Sequence, residues 1–160
     1  MAADSVTPWR WYWMCVAGWT MMVGAWMAAG DVMGMPEFLL GCAVVLVASF
    51  PISYYAALGP AALRSVTNLI AVSGALAFGL LGLPHIWLPL FNEAGASLGA
   101  AYRLLIALFT WVMVWRAAAL REPSDVLQTT LPVGSVLLLA LVSDPGVLTA
   151  AGACVALLGT

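Results

Sequence analysis

The chain has 160 residues, of which 64% are hydrophobic and 8% charged, with five arginines, no lysine and a formal net charge of -2. Soluble domains carry about a quarter of their residues as charges, so this composition, with a mean hydropathy of +1.06, marks a bilayer protein. The few scattered cations make no basic face, which excludes nucleic acid as a partner.

A helix crossing a ~30 Å hydrocarbon core needs about 20 apolar residues, so five or six crossings would use nearly the whole chain. The first apolar run, "WYWMCVAGWTMMVGAWMAA" (11–29), follows a polar head with Asp4 and Arg10. A charged start, an apolar stretch and the small residues Ala28 and Ala29 also make up a signal peptide. The run exceeds the usual apolar length of such peptides, which favours a retained first helix. The second run, "FLLGCAVVLVASFPISYYAAL" (38–58), holds Pro51 well inside it. That proline predicts a kink near residues 49–53, where the hydroxyls of Ser49 and Ser53 can re-satisfy the freed carbonyl.

The third helix is expected over 66–83, ended by Pro84, with Asn68 and Ser73 able to hydrogen-bond to a neighbouring helix. The stretch "GLPHIWLPLFNEAGASLG" (82–99) mixes the polar residues His85, Asn92 and Glu93 with the apolar "IWLPLF", and reads as a loop lying in the headgroup layer. Helices four and five are expected over 98–115 and 127–142. The last run, "VLTAAGACVALLGT" (147–160), would be about 21 Å long as a helix. It is too short to span and reads as a helix cut short. The expected fold class is therefore all-α: a single polytopic helical transmembrane domain over 1–160, with five transmembrane helices plus a truncated or short sixth.

With the N-terminus cytoplasmic, Arg10, Arg64, Arg116 and Arg121 fall on the cytoplasmic side, while Asp31, Glu37, Glu93 and Asp144 fall opposite. The positive-inside rule favours this orientation. "WRAAALREPSDV" (115–126) is then a cytoplasmic turn, anchored by Arg116 and Arg121, with Pro123, Ser124 and Asp125 supplying a stop and an N-cap. Trp111 and Trp115 lie four apart on one helix face, and Trp9, Trp11, Tyr12 and Trp13 cluster beside Arg10. Both groups read as an aromatic belt at that interface, with stacking of a cofactor or quinone as the sharper alternative.

Arg103 lies about one turn inside the fourth helix. An intramembrane ionisable residue is a functional candidate by default. Here it either snorkels to the interface and pairs with Glu93 or lines a pocket for a substrate or lipid headgroup. His85 with Glu93 would suit acid/base chemistry or a metal, but one histidine and one carboxylate fall short of a ligand set. No nucleophile with a base, phosphate-cradling loop or metal signature is present, so no cofactor is expected. Cys15, Cys42 and Cys154 sit singly in apolar runs and read as small packing residues. Small residues recur four apart at Gly24/Ala28, Ala75/Gly79, Gly95/Gly99 and Gly152/Ala156, a spacing that lets helices approach closely. Packing within the chain is the preferred use of these pairs over a dimer face.

The segment "WVMVWRAAALREPSDVLQTTLPVGSVLLLALVSDP" (111–145) resembles part of the N-terminal membrane region of bacterial transglutaminase-like membrane proteins. Arg116, Leu120, Arg121 and Asp125 follow the pattern R-x-x-x-L-R-x-x-x-D, and Ser143, Asp144 and Pro145 close the next helix. The turn departs at Ala119, where such sequences often carry an acid. The resemblance implies a membrane region that precedes an extracytoplasmic domain with a Cys-His-Asp constellation. None of the three cysteines here has a base beside it. The expected role is thus a non-catalytic anchor or scaffold of a bacterial envelope protein in the inner membrane. Its expected partners are the lipid bilayer and a second copy or an envelope protein. The alternative is a small oligomeric transporter or channel subunit, with Arg103 and Asn68 facing the path; a lipid-modifying enzyme is the weakest reading.

Overall fold

The computed structural model describes residues 8–58, 61–118, 120, 123–143 and 145–159. Asp4, Arg121, Asp144 and Ala119 lie outside the described residues, as do the side chains of Trp11, Arg64 and Pro123. Among the described residues, seven α-helices run in chain order: α1 (Pro8–Met33), α2 (Pro36–Leu58), α3 (Ala61–Leu81), α4 (Leu88–Ala94), α5 (Leu98–Ala117), α6 (Pro123–Ser143) and α7 (Val147–Leu158). A π-helical turn, Leu83–Trp87, precedes α4, and no strand occurs among the described residues.

The boundaries follow local chemistry. α1 stops at Met33 because Gly34 takes φ +61°, the left-handed conformation that glycine adopts most easily. Pro36 then opens α2 as its first residue, where its missing N–H costs no helical bond. Ser97 caps α5 in an extended conformation, its hydroxyl accepting from the Ala100 N–H at 3.2 Å. α6 starts on Pro123, which puts Asp125 in the first turn of the helix and not at the expected N-cap.

Among the described residues, three helices are long and apolar enough to cross a bilayer: Pro36–Tyr55, Leu98–Ala117 and Ser124–Ser143. A fourth crossing arises if Asn68–Leu81 and Leu83–Ala94, bent by 54° at their junction, act as one broken span. This is fewer than the five crossings expected from the sequence. α1 has the length, at 26 residues, but its tryptophans, glycines, Thr20 and Asp31 dilute its hydropathy. α7 has 12 residues, about 18 Å of helix. The stretch 82–99 differs most from expectation, since Pro84 and Pro89 open the π turn and α4 as early-turn residues and do not hold the backbone as a loop.

α1 is the centre of the bundle, packing most extensively on α7 and α6 and then on α2 and α5. Its Met22, Ala25 and Ala29 are fully buried, with Ile106, Met113 and Val136 from α5 and α6 in the same core. The crossing of α1 with α7 explains two of the small-residue pairs. A Cβ on Gly24 would overlap the Gly152 carbonyl and the Ala156 amide, and a Cβ on Gly152 would overlap the Gly24 carbonyl and sit 2.8 Å from the Ala28 amide. Gly24/Ala28 and Gly152/Ala156 therefore seat one backbone directly on the other. Gly79 serves differently, bedding the Trp111 ring, as Gly74 beds that of Trp115. Gly99 has nothing near its missing Cβ.

Side-chain bonds fix α2 on this core. The Trp19 and Trp26 indoles donate to the carbonyls of Leu46 at 2.9 Å and Leu39 at 3.0 Å. Near Pro51, the Ser49 hydroxyl donates to the Leu46 carbonyl at 2.8 Å, while Ser53 reaches across to the Ala117 carbonyl at the end of α5. Neither of these bonds goes to the Val47 carbonyl, the one that Pro51 frees, so the two hydroxyls do not re-satisfy it as expected. The outer surface carries large exposed apolar side chains along α2, α3 and α6, among them Val47, Leu69, Leu76, Leu131 and Leu138. A surface of that kind is stable against lipid and a liability in water.

Candidate functional site

The bundle has two chemically distinct ends. Asp31 at the end of α1 meets Thr149 at the start of α7, and Glu93 meets Arg103 near the start of α5. A cleft there also joins Glu37 to His85. At the other end, Tyr12 stacks edge-on with Phe50 and Tyr54, Ser53 meets the end of α5, and Arg116 meets Gln128 on α6. Arg10 is next to that aromatic cluster in sequence and is exposed. Among the described residues, Asp31, Glu37 and Glu93 therefore lie at one end together with Arg103, and Arg10 and Arg116 lie at the other together with Asp125.

Ser97 starts α5 so that Arg103 emerges between the ends of α1 and α6. Arg103 Nη2 lies 3.2 Å from Glu93 Oε2, with the two side chains 41% and 54% exposed. An ion pair that open contributes about 0–1 kcal/mol. Arg103 also borders a shallow groove of about 450 Å³ with Ser97, Tyr102, Val32 and Ser143. Its walls offer one guanidinium and three hydroxyls, a set that can hold an anion or a hydroxylated headgroup but supplies no nucleophile-base pair.

The structure does not bring His85 to Glu93. His85, on the π turn, borders a separate cleft of about 230 Å³ with Glu37, Gly34 and Phe38. Among the described residues no group of three or more His, Cys, Asp or Glu side chains is placed to hold a metal ion. Asn68 is exposed on α3 and lines neither of these clefts. Cys15 and Cys42 are buried and outside any disulfide, whereas Cys154 is exposed on α7.

Trp111 packs edge-on against Trp87 at 5.7 Å, and Trp87 in turn against Phe38 at 5.9 Å. The Trp111 indole N–H is buried without a partner. Trp115 borders an apolar cavity of about 280 Å³ between α2, α3 and α5, with Ala48, Ile52, Ile70 and Ala71. Both rings thus do packing work against the glycines of α3, a role that interfacial tryptophan spacing does not disclose.

Two polar anchors lie beyond what spacing along the sequence suggests. Asp31 Oδ2 accepts from the Thr149 N–H at 3.1 Å and from the Thr149 hydroxyl at 3.2 Å. It caps α7 from another helix, neutralising its positive end. A Cβ on Gly146 would strike that carboxylate. Gln128 accepts from Arg116 Nη2 at 2.9 Å. Gln128 lies about one turn into α6 between Asp125 and the threonines Thr129 and Thr130, so its sequence position does not single it out.

Fold and site define a helical membrane protein whose charged groups sit at helix ends. Compared with known proteins, the chain matches no family model, no curated protein and no solved structure.

Proposed function

We propose that this chain is a non-catalytic, multi-pass module of a bacterial inner membrane that anchors and positions an envelope protein. What carries the reading is the use of the polar groups: Arg103 on Glu93, Asp31 on Thr149 and Arg116 on Gln128 are bonds that fasten helix ends to one another. The likeness of residues 111–145 to the membrane region of transglutaminase-like proteins adds that the positioned domain is a transglutaminase-like one outside the cytoplasm. In this reading α1 crosses as well, at the centre of the bundle, α3 crosses with its bent continuation outside, and α7 returns part way. The N-terminus is cytoplasmic, supported by Arg10 and Arg116 at one end of the bundle and Asp31, Glu37 and Glu93 at the other.

The test has two arms. A reporter fused after residue 121 should read cytoplasmic, and one inserted within residues 86–94 should read outside; the reverse pattern rules out this orientation. Purified chain in liposomes should pass neither ions nor small solutes. Flux that Arg103→Gln abolishes would replace the anchor with an oligomeric transporter, the second reading, which the groove beside Arg103 favours.

A further inference from the structure

The second arginine groove has a different character from the first. Where the end of α5 meets the start of α6, an open groove of about 600 Å³ runs from Arg116 and Gln128 along walls that include Phe109, Val112, Leu127 and Leu131. Leu127 and Leu131 are about 70% exposed on a helix long and apolar enough to span a bilayer, so these walls face hydrocarbon. Beside the polar side chains of Gln128 and Thr130, the charged group among the described residues that line the groove is the Arg116 guanidinium. Its Nη2 is held by the neutral side-chain carbonyl of Gln128, and its Nε is buried with no partner. Glu93 offsets the charge of Arg103, but no carboxylate among the described residues pairs with Arg116.

We propose that this α5–α6 groove binds an anionic phospholipid, with its phosphate on the Arg116 guanidinium and one acyl chain along Phe109, Val112, Leu127 and Leu131. A guanidinium offers five donors in a planar fork suited to phosphate oxygens, and Gln128 occupies one nitrogen while orienting the rest. From Arg116 to Phe109 is about 10 Å of helix at a rise of ~1.5 Å per residue, enough apolar wall for a length of acyl chain directly below the headgroup. Basic pockets between membrane helices recognise anionic headgroups by this combination of charge and depth.

The proposal rests on the membrane reading but not on the orientation or the envelope partner. The full-length chain in detergent would be titrated with phosphatidylglycerol and, separately, with phosphatidylcholine, and bound lipid counted by native mass spectrometry. One phosphatidylglycerol should be retained in preference to phosphatidylcholine. Arg116→Gln should weaken its retention at least about tenfold, the loss expected for one charge-assisted hydrogen bond. Leu131→Trp, which fills the groove and leaves Arg116 in place, should do the same, and it covers the case in which Arg116→Gln fails to fold. Arg10→Gln removes an equal charge from α1 and should change nothing. Equal retention of both lipids, equal loss in Arg10→Gln, or retention unaffected by Leu131→Trp would overturn the proposal. So would a lipid-free dimer broken by Leu131→Trp, which would make a second copy the occupant. Recovery in the membrane fraction separates the two levels: a chain absent from membranes defeats the membrane reading, whereas one that inserts without lipid preference defeats this site alone.

Discussion

Alanine at Gly152 should leave the chain less stable than alanine at Gly134. Both glycines lie inside helices, where alanine is favoured by roughly 1 kcal/mol on backbone grounds. At Gly134 nothing lies within 4 Å of the added methyl, so that gain should be kept. At Gly152 the methyl would overlap the Gly24 carbonyl and sit 2.8 Å from the Ala28 amide and 3.2 Å from the Ala28 Cβ. The obstructing atoms are backbone, so no flexible side chain can swing aside, and α7 must move off α1. Overpacking of this kind costs about 1–3 kcal/mol, enough to cancel or reverse the helical gain. The two variants should therefore differ by roughly 1–3 kcal/mol, with Gly152→Ala the weaker. Reversible unfolding in mixed micelles of rising dodecyl sulfate fraction, followed by far-ultraviolet circular dichroism, measures the difference. A Gly152→Ala protein as stable as Gly134→Ala would mean that α1 and α7 do not touch through these backbones.

Other substitutions probe the polar anchors. Asp31→Ala should cost about 0.5–2 kcal/mol, the usual range for a lost helix cap, and hydrogen exchange should quicken at the first amides of α7 while α2 is unchanged; uniform quickening would count against a local cap. A double-mutant cycle of Arg103→Gln and Glu93→Gln should return a coupling of about 0–1 kcal/mol, as expected for so exposed a pair, and a value of several kcal/mol would show that the pair is desolvated. Thr110 is fully buried and its hydroxyl has no partner. Thr110→Val should thus be neutral or stabilising by up to about 1–3 kcal/mol, the usual cost of an unsatisfied buried polar group, and a clear loss of thermal stability would reveal a bond the hydroxyl makes.

What the sequence discloses here is what is local. Glu93 and Arg103 are separated by one turn and the start of α5, so their pairing is legible from position alone. The glycine-alanine pairs of α1 and α7 are visible as spacing, yet the choice of partner is not, because Gly95/Gly99 has the same spacing and packs on nothing within reach at Gly99. Asp31 caps a helix 118 residues away, whereas a cap is ordinarily sought in the residue just before the helix. His85 shares a cleft with Glu37 because the π turn faces the α1–α2 junction, a tertiary outcome that no spacing encodes. The helical character of 83–94 is hidden by its two prolines, which break a helix from within but open one from its first turn.

The interior also constrains how the competing transport reading would have to work. Along α1 the buried side chains Cys15, Met21, Met22, Ala25, Ala29 and Met33 share one apolar core with Ile106, Met113, Val133 and Val136 from α5 and α6. Buried polar side chains among the described residues are hydroxyls, of which Thr129 bonds its own helix at Val126 and Ser49 its own at Leu46. A hydrated path through a bundle needs groups that replace water along its length, and this core presents methyl, thioether and thiol groups in their place. Arg103 and Arg116 sit thirteen residues apart at opposite ends of α5, about 20 Å by helical rise, each opening sideways onto the surface of the bundle. Solute crossing within one chain would have to part the α1–α5–α6 core, so a transporter built from this chain would have to place its path between copies.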